Sequence, residues 1–307
     1  MDSRDEYFSL AKVREIALNS FLELEGFSPV SRKKKDTDWW YLSPLRNENT
    51  ASFHVDLLRN EWYDFGLGTG GNPLDFFLRY YTGGIPGLLE TFNRHYSTRT
   101  LQSFEPDRFA ENVRSEHQLV VKSVRPLYSY PLKNYLHDRS IPVSVADAFC
   151  KEVSYVVGGR SYYGIGFQND AGGWEIRNKN FKLSSSPKDI TSLGSGAGTC
   201  HVFEGFMDFL SYRSLHPYED PGSVDYVVLN GAGLFDRALP FLQQHERVHL
   251  WLDRDVTGLA CRDYALGAGS QYVDESGLYE RFKDLNEWLQ RKGEVPHLRQ
   301  KTGLKTG

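Results

Sequence analysis

Two short fragments in the last third of the chain constrain its fold more than any other feature: HVFEGFMDFLS at 201–211 and VHLWLDRDVTG at 248–258. Each is an apolar run of strand length that ends in carboxylates and passes into a helix-like pattern, and a third run, DYVVLN at 225–230, lies between them. Strands alternating with helices need crossover connections, so they predict a parallel sheet. In open α/β sheets, ligands bind at the carboxyl ends of strands. Glu204 stands at one such end, and Asp253 and Asp255 stand at another, on one side of the chain by the two-residue period of extended backbone. Gly258 lets the chain turn into the next helix. Asp208 follows Glu204 by four residues, about one helical turn further on the same face. Alone, Glu204 reads better as a helix cap, and Asp253 and Asp255 as solvated turn residues. Together and in this order they predict a cation site, because carboxylates so crowded repel one another unless a cation is bound. Oxygen ligands with no His or Cys nearby suit Mg²⁺ or Mn²⁺, and magnesium takes part of its shell from substrate phosphates, which makes phosphoryl transfer the expected chemistry.

The rest of the chain supplies the setting. Residues 7–25 predict one amphipathic helix ended by Gly26, and the runs WWYL, ASFHV and EWYDF between Trp39 and Phe65 predict a small antiparallel sheet. A helix is expected from about Asn72–Pro73, a linker around Ser103–Glu116, and a helix over 131–150, followed by the strands VSYVV, YGIGFQN and WEIRN. Further helices are expected over Phe206–Leu215 and Phe235–His245. These readings divide the chain at 1–105, 106–195 and 196–307. The net charge of -4 excludes a uniformly basic nucleic-acid coat, yet residues 106–195 carry 12 basic against 9 acidic side chains, a basic middle beside an acidic end. Cys150, Cys200 and Cys261 are scattered, which argues against a disulfide scaffold or a cysteine zinc site. No apolar run has the length of a membrane span and the start is not signal-like, so a cytoplasmic protein with no membrane partner is expected. The run Arg32–Lys35 reads as a solvated turn, or, beside Trp39 and Trp40, as a contact for single-stranded template.

These fragments resemble known motifs. HVFEGFMDFLS is similar to the E-G-x-x-D element, and LWLDRDVTGLACRD to the D-x-D-x-x-G element, of the Toprim domain shared by bacterial-type DNA primases, topoisomerases and some nucleases. LNGAG at 229–233 falls where that family has a strand ending in a glycine turn. FKDLNEWL resembles the primase K-D-x-D segment, with Asp284 at its first acid and Asn286 in place of the second. IGFQNDAGGWEIRNKNFKLSSSPKDIT resembles the primase stretch that lines the nucleotide channel. YLSPLRNENTASFHV and EWYDFGLGTGGNPLDFF resemble the zinc ribbon that precedes the primase core. Carried across, the family's three Cys and one His fall on Ser43, Arg46, Asp64 and Leu67, and the expectation is a module without zinc, packed instead around Trp39, Trp40, Phe53, Trp62 and Phe65.

The resemblance implies an α/β chain, α+β overall, with a small antiparallel zinc-ribbon-like module, a mixed α+β primase subdomain and a Toprim parallel sheet. It implies a primase-like nucleotidyltransferase that makes short primers on single-stranded DNA from nucleoside triphosphates. Glu204, Asp253 and Asp255 would hold the metal and act in catalysis, with Asp208 and Asp284 as supporting ligands and Arg177, Lys182, Lys188 and Lys283 on phosphates. The cofactor expectation is Mg²⁺ or Mn²⁺ and no zinc. Further partners would be a helicase or replication protein of a mobile element. A Toprim nuclease using the same site on water, and a non-catalytic DNA-binding adaptor, are the alternatives.

Overall fold

The computed structural model describes residues 7–292 apart from 35, 97–100, 102, 105–118 and 221. Most of the expected 103–116 linker lies outside the described residues. The chain opens with α1 (Leu10–Arg14) and α2 (Leu18–Leu24), which corrects the single helix expected over 7–25. The break has a side-chain cause. Buried Asn60 accepts from the Leu18 amide at 3.0 Å and donates to the Ile16 carbonyl at 2.8 Å, replacing helical hydrogen bonds at that point.

Five short strands then form an antiparallel meander: β1 (Ser31–Lys33), β2 (Asp38–Tyr41), β3 (Phe53–Asp56), β4 (Glu61–Asp64) and β5 (Thr69–Gly71). Of the five aromatic residues expected in its core, Trp39, Phe53 and Trp62 are buried, whereas Trp40 and Phe65 are not. Adjacent strand residues face opposite ways, so burying Trp39 turns Trp40 outward. Asn72 caps α3 (Pro73–Tyr80) in a reciprocal pair with Asp75, at the helix start expected near Asn72–Pro73, and α4 (Gly84–His95) follows.

The middle of the chain carries β6 (Val120–Arg125), α5 (Tyr130–Asp138), α6 (Val143–Phe149), β7 (Cys150–Val157), β8 (Arg160–Gln168), β9 (Trp174–Arg177) and β10 (Lys182–Ser184). The expected helix over 131–150 is two helices, interrupted at left-handed Ser140 and Pro142. The strands form a second antiparallel sheet in the order β10-β9-β8-β7-β6.

The last part contains β11 (Thr191–Leu193), β12 (Thr199–Phe203), α7 (Phe206–Leu215), β13 (Asp225–Val228), α8 (Phe235–Leu242), β14 (Arg247–Trp251), α9 (Val256–Ala268), β15 (Tyr272–Asp274) and α10 (Leu285–Lys292). Its sheet order is β11-β13-β12-β14-β15, with β12, β13, β14 and β15 parallel and β11 antiparallel at one edge. Both faces are buried, as parallel sheets require. Val202, Val227 and Leu250 enter a core shared with Phe21, Leu74, Phe77 and Phe92 from the first module. Their neighbours Phe203, Val228 and Trp251 enter a second core with Leu132, Tyr135 and Phe167 from the middle of the chain. The third sheet is therefore the wall between two cores.

Candidate functional site

Strands β12 and β14 are parallel neighbours with Phe203 opposite Trp251, so Glu204 and the Asp253–Asp255 pair leave the sheet side by side. Gly258 is required by a close approach, because a Cβ there would lie 2.1 Å from the Asp253 carbonyl oxygen. Asp255 caps α9 and accepts from the Gly258 amide at 3.1 Å. Asp208 sits in the first turn of α7, buried, and accepts from the Asn286 amide at 2.9 Å. Asp284 accepts from the Glu287 amide at 2.7 Å at the start of α10. The Lys283 ammonium lies 3.6 Å from Asp253 and 3.5 Å from Asp255. This lysine, expected on phosphates, bridges the two aspartates.

The electrostatics divide the cluster around Asp253. Burial, then Asp253 and Asp255, push the Glu204 carboxyl well above its usual range, and burial, then Asp284 and Asp253, do the same to Asp208. Asp253 is pushed up to about 6 by burial, with Asp284 and Asp255 adding to it against the pull of Lys283. Burial alone would lower the Lys283 ammonium, but Asp253, Asp255, Glu204 and Asp284 outweigh it and raise it. Glu204 Oε2 is buried with no hydrogen-bond partner. Among the described residues, no three His, Cys, Asp or Glu side chains stand close enough to hold a metal ion as placed. An oxygen-only donor set with one unpartnered buried oxygen is nevertheless of the type that receives a hard divalent cation.

A basic edge faces these acids. Lys182 on β10 is paired with Arg177 on β9, and its charge acts on Glu204, Asp208 and Asp253. Lys182 is exposed. Arg177 is largely buried, 5.4 Å from the Phe206 ring centroid and 3.9 Å from Glu175. Lys188 is exposed, yet desolvation by the atoms around it and the charges of Arg14, Lys182 and Arg177 push its ammonium down to about 8 against the pull of Glu175. Arg14 was missed in the sequence. Its guanidinium borders Gly231, whose amide donates to the Glu204 carbonyl at 3.1 Å, and nothing in its local pattern marks a residue so far from the acidic motifs. Asn286, at the place of the second acid in K-D-x-D, is a buried brace between α5, α7 and α10.

The zinc-ribbon-like module has its own polar cluster. Ser43 Oγ donates to Asp64 at 2.6 Å, Arg46 donates to Asp64 at 3.1 Å and to Glu48 at 2.6 Å, and the amides of Gly66 and Leu67 donate to Asp64 at 2.8 and 3.0 Å. Burial alone would raise the Asp64 and Glu48 carboxyls, but these bonds, with those from the Ser52 hydroxyl and the Ser43 and Ser52 amides to Glu48, outweigh it and hold both below the usual range. On the opposite, outer face Trp40 stacks on Phe65 at 5.4 Å, Tyr63 meets Phe65 edge-on at 4.8 Å, and the Lys33 ammonium lies 4.6 Å from the Trp40 ring.

Comparison with known proteins gives the class. Residues 201–289 match the family model described as Toprim-like, 26–97 that of the CHC2 zinc finger, and 121–186 a domain of unknown function, DUF8464. A 46-residue segment is 39% identical to the DNA primase of Treponema pallidum (strain Nichols), covering 15% of this chain and 8% of that one. A 71-residue segment is 31% identical to the DNA primase of Legionella pneumophila, covering 23% and 12%. The matched segments thus span about a tenth of these relatives. This is a Toprim-containing α/β protein of mixed architecture. More particularly, the pairing of a zinc-finger-type segment with a Toprim-like segment, and the short matches to two DNA primases, make the chain similar to bacterial-type DNA primases. The chain also overlaps the primase fragment of the bacteriophage T7 primase-helicase protein (TM-score 0.40, 15% identity, 80% of this chain and 91% of that one). It overlaps the zinc-binding and RNA polymerase domains of the Aquifex aeolicus primase as well (TM-score 0.35, 16% identity, 93% and 83%). Overlaps this loose carry no functional information.

The zinc-finger match corrects the cofactor expectation of Mg²⁺ or Mn²⁺ with no zinc: residues 26–97 form a module of a zinc-binding type, and neither magnesium nor manganese follows from it. Serine, arginine, aspartate and leucine at 43, 46, 64 and 67 are not the thiolate and imidazole donors that hold structural zinc, and the hydroxyl and carboxylate among them are already bonded to each other. No helix among the described residues is long and apolar enough to cross a membrane.

Proposed function

We propose that the protein is a primase-type nucleotidyltransferase that makes short primers on single-stranded DNA from nucleoside triphosphates. The observation that carries this reading is the set of crowded carboxylates on adjacent strand ends, Glu204 with an unpartnered buried oxygen beside Asp253 and Asp255, facing the basic edge of Arg177 and Lys182. In this reading Glu204, Asp253 and Asp255, supported by Asp208 and Asp284, receive a divalent cation, which would offset the charge of the triphosphate. Lys182, Lys188 and Arg177 hold phosphate oxygens with fixed positive charge. The primer 3′-hydroxyl oxygen attacks the α-phosphorus, the bond to the β-phosphate oxygen breaks, and pyrophosphate leaves. The hydroxyl proton passes to water. Positioning and charge neutralisation supply the catalysis, with no covalent protein intermediate. The outer face of the first sheet, with Trp40, Tyr63, Phe65 and Lys33, suits stacking by template bases. The division into 1–105, 106–195 and 196–307 belongs to this proposal, with β11 counted in the third sheet.

The test is primer synthesis by the full chain on several single-stranded templates with labelled ribo- and deoxyribonucleotides. Template-dependent products are expected, reduced by at least about a thousandfold in a folded Asp253→Ala/Asp255→Ala variant. Strand cleavage without synthesis would assign a nuclease, and template binding with neither activity an adaptor. Either result overturns the proposal.

A further inference from the structure

A cleft of about 410 Å³ opens between α5, α10 and the β9–β10 turn, lined by Tyr135, Asp138, Arg139, Lys179, Glu287 and Arg291. None of these residues belongs to the acidic site or its basic edge. The Arg139 guanidinium lies 5.3 Å from the Tyr135 ring centroid, and its Nη1 donates to Asn286 Oδ1 at 3.0 Å. Asn286 is itself immobilised. It is 1% exposed, its amide donates to Asp208 at 2.9 Å, and its side chain donates to the Arg139 carbonyl at 3.0 Å and to Ser211 at 2.8 Å.

Arg139 is therefore held rigidly by neutral groups, an aromatic ring and a carboxamide, which orient its charge without cancelling it. Among the described residues, neither Arg139 nor Lys179 has a carboxylate in ion-pair contact. Arg291 is paired with Glu287 at 3.2 Å, and the Asp138 side chain is 64% exposed and borders His137. Two cations without an ion-pair partner among the described residues thus line the cleft beside an aromatic ring. An aspartate at 286, the residue type of the K-D-x-D segment, would put a carboxylate against Arg139 and pair it. Asparagine leaves the guanidinium free to pair with something else.

We propose that this cleft binds a phosphate group, with Arg139 as a pre-oriented fork and Lys179 as a point charge. The phosphate comes from a passing single strand or from a free nucleotide; the recognising chemistry is the same. The inference stands apart from the proposed reaction, since the acidic cluster can fail as a catalytic site and the cleft still bind phosphate.

The test uses the full chain, a short labelled oligothymidylate followed by anisotropy at several salt concentrations, and ATP followed by calorimetry. Arg139→Gln and Lys179→Gln are each expected to lower the affinity of at least one probe about tenfold. For the oligothymidylate, each should also flatten the slope of log affinity against log salt by about 0.7. Asn286→Asp should reproduce the Arg139→Gln loss without altering a lining cation. Loss for the oligothymidylate assigns a strand phosphate, and loss for ATP alone assigns a free nucleotide. Lys179 is exposed and bears no ion pair among the described residues, so its variant is expected to keep the fold. Unchanged binding of both probes by Lys179→Gln overturns the proposal.

Discussion

The chain holds two carboxylate clusters of opposite character. Under the first sheet, Asp64 and Glu48 are bonded to Ser43, Ser52, Arg46 and backbone amides, and their carboxyls are held below the usual range. At the ends of β12 and β14, Glu204, Asp208 and Asp253 have few donors and one lysine among them, and their carboxyls are pushed up. Both clusters are desolvated, so burial alone does not distinguish them. Donor supply does. The satisfied cluster stabilises the fold where it sits, whereas the unsatisfied one is held at a cost that the surrounding packing offsets. A site that must receive an outside charge has to be of the second kind.

The sharpest way to break this contrast is to remove one acid from each cluster. Asp64→Ala strands Arg46 and Ser43 under the sheet and should cost about 3 kcal/mol of stability. Glu204→Gln removes a repelled charge and should leave the melting temperature unchanged or raised. Equal destabilisation in thermal melts of the two variants would erase the distinction.

The pH dependence of stability comes next in size. A carboxyl whose folded value is raised takes up its proton before the unfolded chain does, so its penalty is relieved as pH falls. For Asp253 that window runs from about 6 down toward its ordinary 3.8. Asp64 and Glu48 have the opposite sign: their contribution is present above the ordinary carboxylate range and is lost as pH falls through their lowered folded values. The melting temperature should therefore rise from pH 7 toward 4 and fall below that. In Asp253→Asn the rise should shrink and the fall remain, and an undiminished rise would remove Asp253 from the unsatisfied cluster.

The smallest effect concerns the basic edge. Lys182→Ala should change stability by no more than about 0.5 kcal/mol, because an exposed cation is lost. It should flatten the salt dependence of single-strand binding by about 0.7 in log–log slope. An unchanged slope would reduce Lys182 to a surface lysine.

How much of this was legible in the sequence follows the range of the interactions. The acidic site was readable because strand period, strand ends and parallel order are local properties, and local properties place Glu204 beside Asp253 once the two strands are neighbours. The antiparallel edge strand β11 is three residues long and carries no pattern of its own. The break between α1 and α2 depends on Asn60, more than 40 positions away, and helical spacing runs straight through it. Trp40 and Phe65 were assigned to a core by residue type, while the alternation of β2 puts Trp40 outside. Arg14, Arg139 and Lys283 acquire their surroundings only when distant segments meet. Lys283 was expected on phosphate because K-D was read as a motif, and its bridge between Asp253 and Asp255 shows only in the fold.

One hydrogen bond has a consequence for how the chain is made. Thr257 Oγ1, in the first turn of the helix that Asp255 caps, donates to Asp75 Oδ1 at 2.5 Å across 182 positions of sequence. Beside it, Leu74 borders Gly233 in the shared core. Synthesis runs from the N-terminus, so α3 leaves the ribosome long before the strands and helix that cover Leu74 exist. Until they arrive, part of the first module's apolar surface faces water, and closing so long a loop is slow relative to local helix formation. The core that the first module shares with the third sheet is therefore completed only when the last strands are made, and the acidic site is among the last parts of the molecule to be braced.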